Sequence, residues 1–340
     1  MSESVSFPKI SLSDIAKRLA DAKDILIITH TGPDGDCVGT AAALAMIAEA
    51  LGANPKCITP DPMADRLSFL MPERFRAEYA EGLEDSFDTV CSVDVASSAQ
   101  LGTLDSIASK ISFMIDHHGM GEVYTENYVD PTASAAGEII YSLYKLLREE
   151  GKIPSLPEAC RCIYAAIVSD TGSFKFSNVT PETHIVASEL VREINTAEDG
   201  GMTTEEVCRT LFGRRTMRDL KAQGLAIRNL RVFENGELGA VLLPRCDVAA
   251  EGLDDTDLGA SVEVPRSLEG VKIAISVRQK SDDESVFKVS SRSNCDADVS
   301  VICATFGGGG HPKAAGCTIH ADSPEEALKI AVEAFSKGLR

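Results

Sequence analysis

The chain has 340 residues, of which 44% are hydrophobic and 25% charged, and its formal net charge is −19 at pH 7. This composition is typical of a globular protein long enough for two hydrophobic cores. So acidic a surface argues against binding of long nucleic acids, which proteins hold through many Lys and Arg contacts to phosphates. A small polyanion can still be bound if the site carries its own cations, because a divalent ion is often the largest local charge.

The cellular setting is indicated by what the sequence lacks. The amino end has no basic stretch followed by an apolar segment, and the longest apolar run, AAALAMIA at 41–48, is too short to cross a bilayer. Ten cysteines are scattered without a C-x-x-C pair, which favours reduced, mostly buried thiols. We expect a cytoplasmic protein that makes no contact with membranes.

In the first part of the chain, short β-rich runs alternate with helical patterns. Strands are predicted in DILIITH, DTVCSVD and ISFMID, and helices in VGTAAALAMIAEALG and ASAAGEIIYSLYKLLREEG. This alternation predicts an α/β fold with a doubly wound, mostly parallel sheet. Ligands of such sheets bind beyond the carboxyl ends of the strands, where His30, Asp94 and Asp116 fall.

Two further helices are predicted before the chain changes character. PEACRCIYAAIVSDTGSF predicts a helix that leads to Asp170, and Thr180 with Pro181 suits the start of the next helix. The segment 195–225 is charged and compatible with helix. We expect it to be a helical linker between a catalytic domain over 1–194 and a second domain over 226–340.

The second domain is predicted to be a smaller α+β fold. Strands of hairpin type are expected in LRVFENGELGAVLLP, VKIAISVRQ and VFKVSSRS. They precede a helix around DVSVICATF, a run of four glycines and a closing helix in SPEEALKIAVEAFSKGL.

The stretch ITHTGPDGD, residues 28–36, carries one imidazole and two carboxylates within seven residues, namely His30, Asp34 and Asp36. Because these side chains leave the end of a strand in a turn, they can converge in front of the sheet. Two carboxylates so close repel each other unless a cation compensates, and mixed nitrogen and carboxylate ligands suit Mn2+, Mg2+, Co2+ or Zn2+. The alternative is that Asp34 and Gly35 form a plain turn and Asp36 caps the following helix.

The stretch MIDHHG holds Asp116, His117 and His118 where another apolar run ends. Adjacent histidines can divide two tasks, because one can bind a metal while its neighbour contacts a phosphoryl oxygen. The alternative is an ordinary surface pair. Asp94 and Asp170 also follow apolar segments, and either alone would suit a helix or turn cap.

Together these motifs resemble the DHH phosphoesterases, a family named for the Asp-His-His triplet found here at 116–118. The match is ordered and covers nearly the whole chain: ITHTGPDGD, then Asp94, the triplet, NYVDP at 127–131, and DTGSF at 170–174. The tail SSRSNCDADVSVICATFGGGGHPKAAGC resembles the C-terminal domain of the RecJ-type and nanoRNase-type subfamily. In length the chain is similar to the bacterial nanoRNase and pAp-phosphatase group, which hydrolyses short oligonucleotides and pAp.

The resemblance implies two divalent cations, with Mn2+ the expected ion. One cation would be bound by His30, Asp34 and Asp94, and the other by Asp36, Asp94, His117 and Asp170. Four carboxylates and two divalent ions would leave the centre nearly neutral. Asp116 is expected to orient a histidine, and His118 to contact the reacting phosphoryl group, so these two are the expected catalytic residues.

A nearly neutral centre does not by itself attract a substrate with several phosphates, so we expect further donors in the second domain. Arg292 with Ser293 can bind a phosphate, and glycines 307–310 let backbone N–H groups approach an anion. The expected substrate-binding residues there are Arg292, Ser293, Gly308, Gly309, Gly310 and His311. The alternative is that Arg292 is a solvated surface charge and the glycine run a flexible hinge.

The expected function is therefore two-metal hydrolysis of short oligoribonucleotides (nanoRNA) to nucleoside monophosphates, of pAp to AMP, or of both. Short single-stranded RNA or DNA would bind, long duplexes would not, and the resemblance implies a homodimer. Two alternatives are a phosphodiesterase acting on pApA in cyclic di-AMP turnover and a noncatalytic nucleotide sensor. Structural roles are expected for Cys160, Cys162, His184 and His320.

Overall fold

The structure is a computed structural model that describes residues 7–119 and 121–339. The chain forms two compact units that divide after Arg214. This division lies inside the segment 195–225, which was expected to link two domains.

The first unit is built on a five-stranded parallel sheet with the strand order β2-β1-β3-β4-β5. The strands are β1 (Asp24–Ile28), β2 (Asn54–Ile58), β3 (Thr89–Val93), β4 (Phe113–Asp116) and β5 (Glu126–Val129). The central strands are apolar and fully covered, as expected for parallel strands with both faces buried.

Helices surround this sheet. They are α1 (Leu12–Asp21), α2 (Gly35–Ala50), α3 (Ala136–Glu149), α4 (Pro157–Asp170), α5 (Pro181–Thr196) and α6 (Thr204–Cys208), with a long 3-10 segment at Ser98–Lys110 and a π-helical turn at Arg209–Gly213. The large hydrophobic core lies between one sheet face and the α-helices, and a smaller core lies under the 3-10 segment. As predicted, Thr180 caps α5 and Pro181 is its first residue.

The predicted parallel α/β architecture is confirmed, but the sequence analysis did not assign β2 and β5. Both are edge strands, and their sequences NPKCI and ENYV lack the continuous apolar run of a central strand. Proline and charged residues are tolerated at a sheet edge, where one row of backbone groups has no partner strand. The hydrophobic pattern is therefore weakest at these two strands.

Helices α2 and α4 cross at very close range because α2 presents glycines to its neighbour. A Cβ atom on Gly35 would lie 2.1 Å from Ser169 Oγ, and one on Gly39 would lie 2.5 Å from the Cys162 carbonyl oxygen. The start of α2 is thereby held against the end of α4. This contact brings the motif at 34–36 next to Asp170.

The second unit contains a six-stranded sheet with the order β10-β11-β9-β8-β7-β6. Its strands are β6 (Leu230–Phe233), β7 (Leu238–Leu243), β8 (Ile273–Gln279), β9 (Val286–Ser293), β10 (Gly309–His311) and β11 (Ala314–His320). Only the β7–β8 pair is parallel. The helices are α7 (Met217–Arg228), α8 (Arg245–Ala250), α9 (Glu263–Arg266), α10 (Val299–Ala304) and α11 (Pro324–Ser336), with a 3-10 helix at Asp255–Val262.

The two faces of this second sheet differ in character. One face forms a hydrophobic core with α10 and α11. On β9 and β11, side chains alternate between that core and a face that is exposed or half-buried. Over β7 and β8 the second face is covered by α7, α8 and the 3-10 helix. The second unit thus has an open sheet face only over β9, β10 and β11, and the α+β prediction for this part of the chain is confirmed.

Two properties expected from composition can be compared with the structure. Among the residues that the structure describes, no helix combines the length and apolar character needed to cross a bilayer. All ten cysteines are free thiols, and seven of them are buried.

The glycine contact between α2 and α4 can be tested by substitution. Gly39→Ala should lower the free energy of unfolding by about 1–3 kcal/mol, because the added methyl group overlaps the α4 backbone. Gly224→Ala is the matched control, since Gly224 lies in α7 with no atom near the added methyl group. It should be stabilising by about 0.5–1 kcal/mol. Urea unfolding measures the free energy of unfolding of both variants. Equal changes in the two would contradict the close contact between α2 and α4.

Candidate active site

Three neighbouring strands deliver most of the predicted site residues. His30 lies two residues beyond β1, Asp94 directly follows β3, and Asp116 ends β4. All three residues therefore lie at the carboxyl ends of the parallel strands, where the Asp-His-His triplet begins. Asp94 adopts a left-handed backbone with φ +58°, which turns its carboxylate across the strand ends. Its N–H donates to the Ile115 carbonyl at 2.9 Å, which fixes this turn to β4.

The two aspartates of the first motif are held by different helices. Asp34 is the N-cap of α2, and its Oδ1 accepts from the N–H groups of Asp36 and Cys37 at 3.0 and 3.1 Å. The alternative interpretation, in which Asp36 caps α2, is wrong because Asp34 is the N-cap. Its carboxylate accepts from the first N–H groups of α3, Ala136 at 2.7 Å and Gly137 at 3.0 Å. The chain therefore uses Asp36 to join α2 to α3.

The ring of His30 is oriented by the backbone. Its Nδ1 lies 2.8 Å from the Thr31 carbonyl oxygen, and since a carbonyl only accepts, Nδ1 carries the proton. In the neutral ring Nε2 then has a free lone pair. Nε2 lies 3.8 Å from Asp34 Oδ1 and 3.6 Å from Asp94 Oδ2.

His117 repeats this arrangement on the other side of Asp94. Its Nδ1 lies 3.3 Å from the Ala133 carbonyl oxygen. Its Nε2 lies 3.7 Å from Asp36 Oδ2, 3.5 Å from Asp94 Oδ1 and 3.6 Å from Asp170 Oδ2. A backbone bond to one nitrogen and several carboxylates around the other is the usual environment of a metal-binding histidine.

Asp94 is therefore shared by two clusters of donor atoms. Its Oδ2 faces His30, and its Oδ1 faces His117 and His118 at 3.5 and 3.6 Å. The residue is 2% exposed, and Oδ1 has no hydrogen-bond partner among the described residues. A buried carboxylate oxygen without a partner is costly, so this site fits bound cations. The clusters are His30 with Asp34, Cys37 and Asp94; Asp94 with His117 and His118; and Asp36 with His117 and Asp170.

Protonation equilibria give the same indication. Burial is the main cause, and the charge of Asp36 the second, of two raised pKa values. The pKa of Asp94 lies well above its ordinary value, and that of Asp170 is raised to about 7. Burial also raises the pKa of Asp36, although the charge of His117 and the N–H groups of α3 lower it. Without a cation these carboxylates resist being ionised together.

Within the Asp94 cluster, His118 is also paired with Asp116. His118 Nδ1 lies 2.8 Å from Asp116 Oδ1, while Asp116 itself is buried. This hydrogen bond raises the pKa of His118, with the charge of Asp116 adding to the shift and burial opposing it. His118 is partly exposed and is the histidine that Asp116 orients.

The sequence analysis missed several residues that support the site. Thr40 Oγ1 donates to Asp36 Oδ1 at 2.9 Å, and the amide of Asn178 donates to the Asp170 carbonyl oxygen at 3.1 Å. Gly137 leaves room for this arrangement, since a Cβ there would lie 2.6 Å from Ala166 Cβ. The small residues of ASAAGE after β5 were the available signal. Cys37 joins the His30 cluster without having been predicted, and burial raises the pKa of its thiol.

In the second unit, the cross-strand register places some predicted substrate residues on the open sheet face. Arg292 pairs with Ala314, and Ala314 pairs with His311, so Arg292 and His311 share one row. Arg292 Nε donates to Glu263 Oε1 at 3.0 Å, and its side chain is 28% exposed. Ser293 is on the opposite, core face and donates to the Cys295 carbonyl oxygen at 2.8 Å. Its predicted contact with substrate therefore has no support in this geometry.

Two glycines of the run, Gly308 and Gly310, are required by tight packing. A Cβ on Gly308 would lie 2.2 Å from the Gly316 carbonyl oxygen, and one on Gly310 would lie 2.6 Å from that of Ala314. Gly308 N–H already donates to the Cys303 carbonyl oxygen at 3.0 Å. Gly309 faces the open side in register with Gly316. The glycines thus build a flat β10–β11 hairpin.

Comparison with known proteins identifies the class. Residues 24–167 match the model of the DHH family N-terminal domain, and residues 240–337 match the DHHA1 domain. The chain thus contains a DHH domain and a DHHA1 domain, which confirms the resemblance seen in the sequence.

Three individual proteins are similar to this chain over more than nine-tenths of its length. The bifunctional oligoribonuclease and PAP phosphatase NrnA of Thermus thermophilus is 29% identical over 316 residues, 93% of this chain and 90% of that protein. The protein of the same description from Bacillus subtilis is 26% identical over 319 residues, 92% of this chain and 95% of that protein. The crystal structure of an exopolyphosphatase-related protein from Bacteroides fragilis has the same fold, with a TM-score of 0.83 at 23% identity over 96% of this chain and 95% of that one.

The raised pKa of Asp170 predicts how the stability of metal-free protein changes with pH. Its folded-state value of about 7 exceeds the ordinary 3.8, so its contribution to stability is complete below about pH 4 and is lost as pH rises to 7. Asp170→Asn removes this titration. In the presence of EDTA, the Tm of the variant minus that of the wild type should increase from pH 4 to 7, as measured by calorimetry. A pH-independent difference would contradict this environment for Asp170.

Proposed function

We propose that this phosphoesterase uses two divalent cations to hydrolyse short oligoribonucleotides to nucleoside monophosphates and pAp to AMP. The observation that carries the proposal is the buried Asp94 carboxylate. Its two oxygens face two histidine clusters, and Oδ1 has no hydrogen-bond partner in the part of the chain that the structure describes. The relatives described as bifunctional oligoribonucleases and PAP phosphatases match this chain over nine-tenths of its length.

The geometry supports the ligand sets implied by the family resemblance. His30, Asp34 and Asp94 would hold one cation, and Asp36, Asp94, His117 and Asp170 the other. Imidazole mixed with carboxylates suits Mn2+, with Mg2+, Co2+ and Zn2+ as competitors. When bound, a pair of such ions activates a water molecule and stabilises charge on the phosphoryl oxygens during in-line displacement.

The chain's own groups complete the chemistry. His118 is partly exposed beside Asp94, and its hydrogen bond to Asp116 favours the protonated imidazole. In that form its free Nε2–H can donate to a phosphoryl oxygen and stabilise charge that develops there. Asp116 acts through His118 and is therefore a positioning residue.

Arg292 and His311 are the proposed substrate contacts of the second unit. They lie in one row on the open sheet face, where a guanidinium can bind a phosphate in a forked geometry. Gly309 gives this face a surface without side chains, which suits a flat nucleotide. The net charge of −19 opposes binding of long polyanions, so short substrates are favoured.

The proposal also includes a cellular location and an oligomeric state. Ten free cysteines suit the reducing cytoplasm. The homodimer implied by the family resemblance can be measured by light scattering in solution.

Titration calorimetry with Mn2+ tests the metal centre. Wild-type protein should bind two ions, His30→Ala one tight ion, and Asp94→Ala neither tightly, because Asp94 is shared. Asp88→Ala is the control and should bind two, because Asp88 is an exposed acid that precedes β3 at the end opposite Asp94. Equal binding by wild type and Asp94→Ala would refute the shared carboxylate.

Substrate length is tested with Mn2+ and RNA of two, five and twenty-four nucleotides, alongside pAp and pApA. The value of kcat/KM should fall by at least about tenfold from the five-mer to the twenty-four-mer, since repulsion grows with the number of phosphates. Equal rates at all lengths would contradict the proposal. Turnover of pApA alone would favour the cyclic di-AMP pathway, and metal uptake without turnover would favour a sensor.

A further inference from the structure

A buried cation on the second sheet has too few partners. Arg278 on β8 is only 9% exposed, yet its sole side-chain hydrogen bond among the described residues runs from Nη2 to Ser290 Oγ at 3.2 Å. Its Nε is buried and has no hydrogen-bond partner within 7–119 and 121–339. A guanidinium has five N–H donors, and buried charges are normally paired with an anion.

The surroundings of Arg278 offer no such anion. Across 7–119 and 121–339, no carboxylate lies within ion-pair distance of its guanidinium; every ion pair of the second unit involves another cation. Burial lowers the pKa of Arg278, and the negative charge of Asp255 offsets this only in part. The Asp255 carboxylate instead accepts a hydrogen bond from Ser281 Oγ at 3.0 Å.

The neighbouring polar groups are also unsatisfied. Ser276, two residues earlier on β8, is 1% exposed, and its Oγ has no hydrogen-bond partner. Ser276 pairs in register with Ser290, and Arg278 pairs with Lys288. Lys288 is exposed. Two serine hydroxyls, a guanidinium and an ammonium group therefore occupy two adjacent rows of one sheet face.

This face is the one that carries Arg292. Arg292 pairs with Ala274, Ser290 with Ser276 and Lys288 with Arg278, so three successive rows alternate basic, small and basic. Gly316 and Gly309 continue the small middle row across β11 and β10. From Ala274 to Arg278 is four residues, or about 13 Å along the strand. The two basic rows are thus separated by a row of serine and glycine, which is buried at Ser276 and becomes exposed towards Gly309.

We propose that Arg278, Ser276 and Ser290 form a second phosphate subsite beside the Arg292 row, for a second phosphate of a short oligonucleotide. This inference rests on the proposed function and adds a length-selective contact to it. A dinucleotide has a single internucleotide phosphate and cannot occupy the Arg292 row and the subsite together, whereas a five-mer can occupy both. Lys288 would contribute long-range attraction from the rim.

The test compares wild type, Arg278→Met and Arg278→Lys on an RNA dinucleotide and five-mer with Mn2+. Arg278→Met keeps the volume of the side chain without its charge, and calorimetry verifies its folding. Its KM for the five-mer should rise about tenfold, as expected for one lost charge-assisted contact, while KM for the dinucleotide changes less than twofold. Arg278→Lys should be intermediate. Arg228→Met, on exposed α7, is the control and should leave both values unchanged.

Salt dependence separates a phosphate contact from a packing role. Fluorescence anisotropy with a labelled five-mer in EDTA measures binding without turnover. The slope of log Kd against log salt should be smaller in magnitude by about 0.7 in Arg278→Met, the value for one phosphate contact on a single strand. An unchanged slope, or equal KM increases for both RNA lengths, would overturn the subsite. Absence of five-mer turnover by wild type would instead overturn the proposed function, whatever the binding result.

Discussion

The arrangement of the first unit depends on the electrostatic cost of packing carboxylates together. Asp36 and Asp94 are almost completely buried. Asp34 shares a cluster with His30, and Asp170 shares one with His117. Protein interiors amplify repulsion among such charges. The fold meets part of this cost with N–H groups at the start of α3, and the remaining demand for positive charge fits the binding of divalent cations.

Several features of the fold serve this concentration of charge. Parallel strands place His30, Asp94 and Asp116 at one edge, and the glycine contact of α2 with α4 adds Asp34, Asp36 and Asp170 from the side. Backbone carbonyls then orient both rings so that Nε2 faces the acids. Rigid elements rather than long loops therefore determine the positions of the donor atoms, which is what selective metal binding requires.

The second unit carries the basic side chains that we propose as substrate contacts, in a protein that is itself acidic. Its sheet segregates a hydrophobic core from an open face by simple alternation along β9 and β11. Basic side chains on that face are few but locally concentrated, and they flank a strip of serine and glycine. Such a surface attracts a few phosphates at short range while the overall charge repels extended chains.

The sequence alone determined the parallel architecture, the metal-binding motifs and the family, because hydrophobic periodicity and closely spaced His and Asp residues are local properties. It also indicated the start of α5 from Thr180 and Pro181. Only the tertiary structure decided that Asp36 bonds to α3 instead of capping α2, since those N–H groups lie one hundred residues away in sequence. Likewise, strand register, which depends on pairing between distant segments, put Ser293 on the core face and Arg278 on the same face as Arg292.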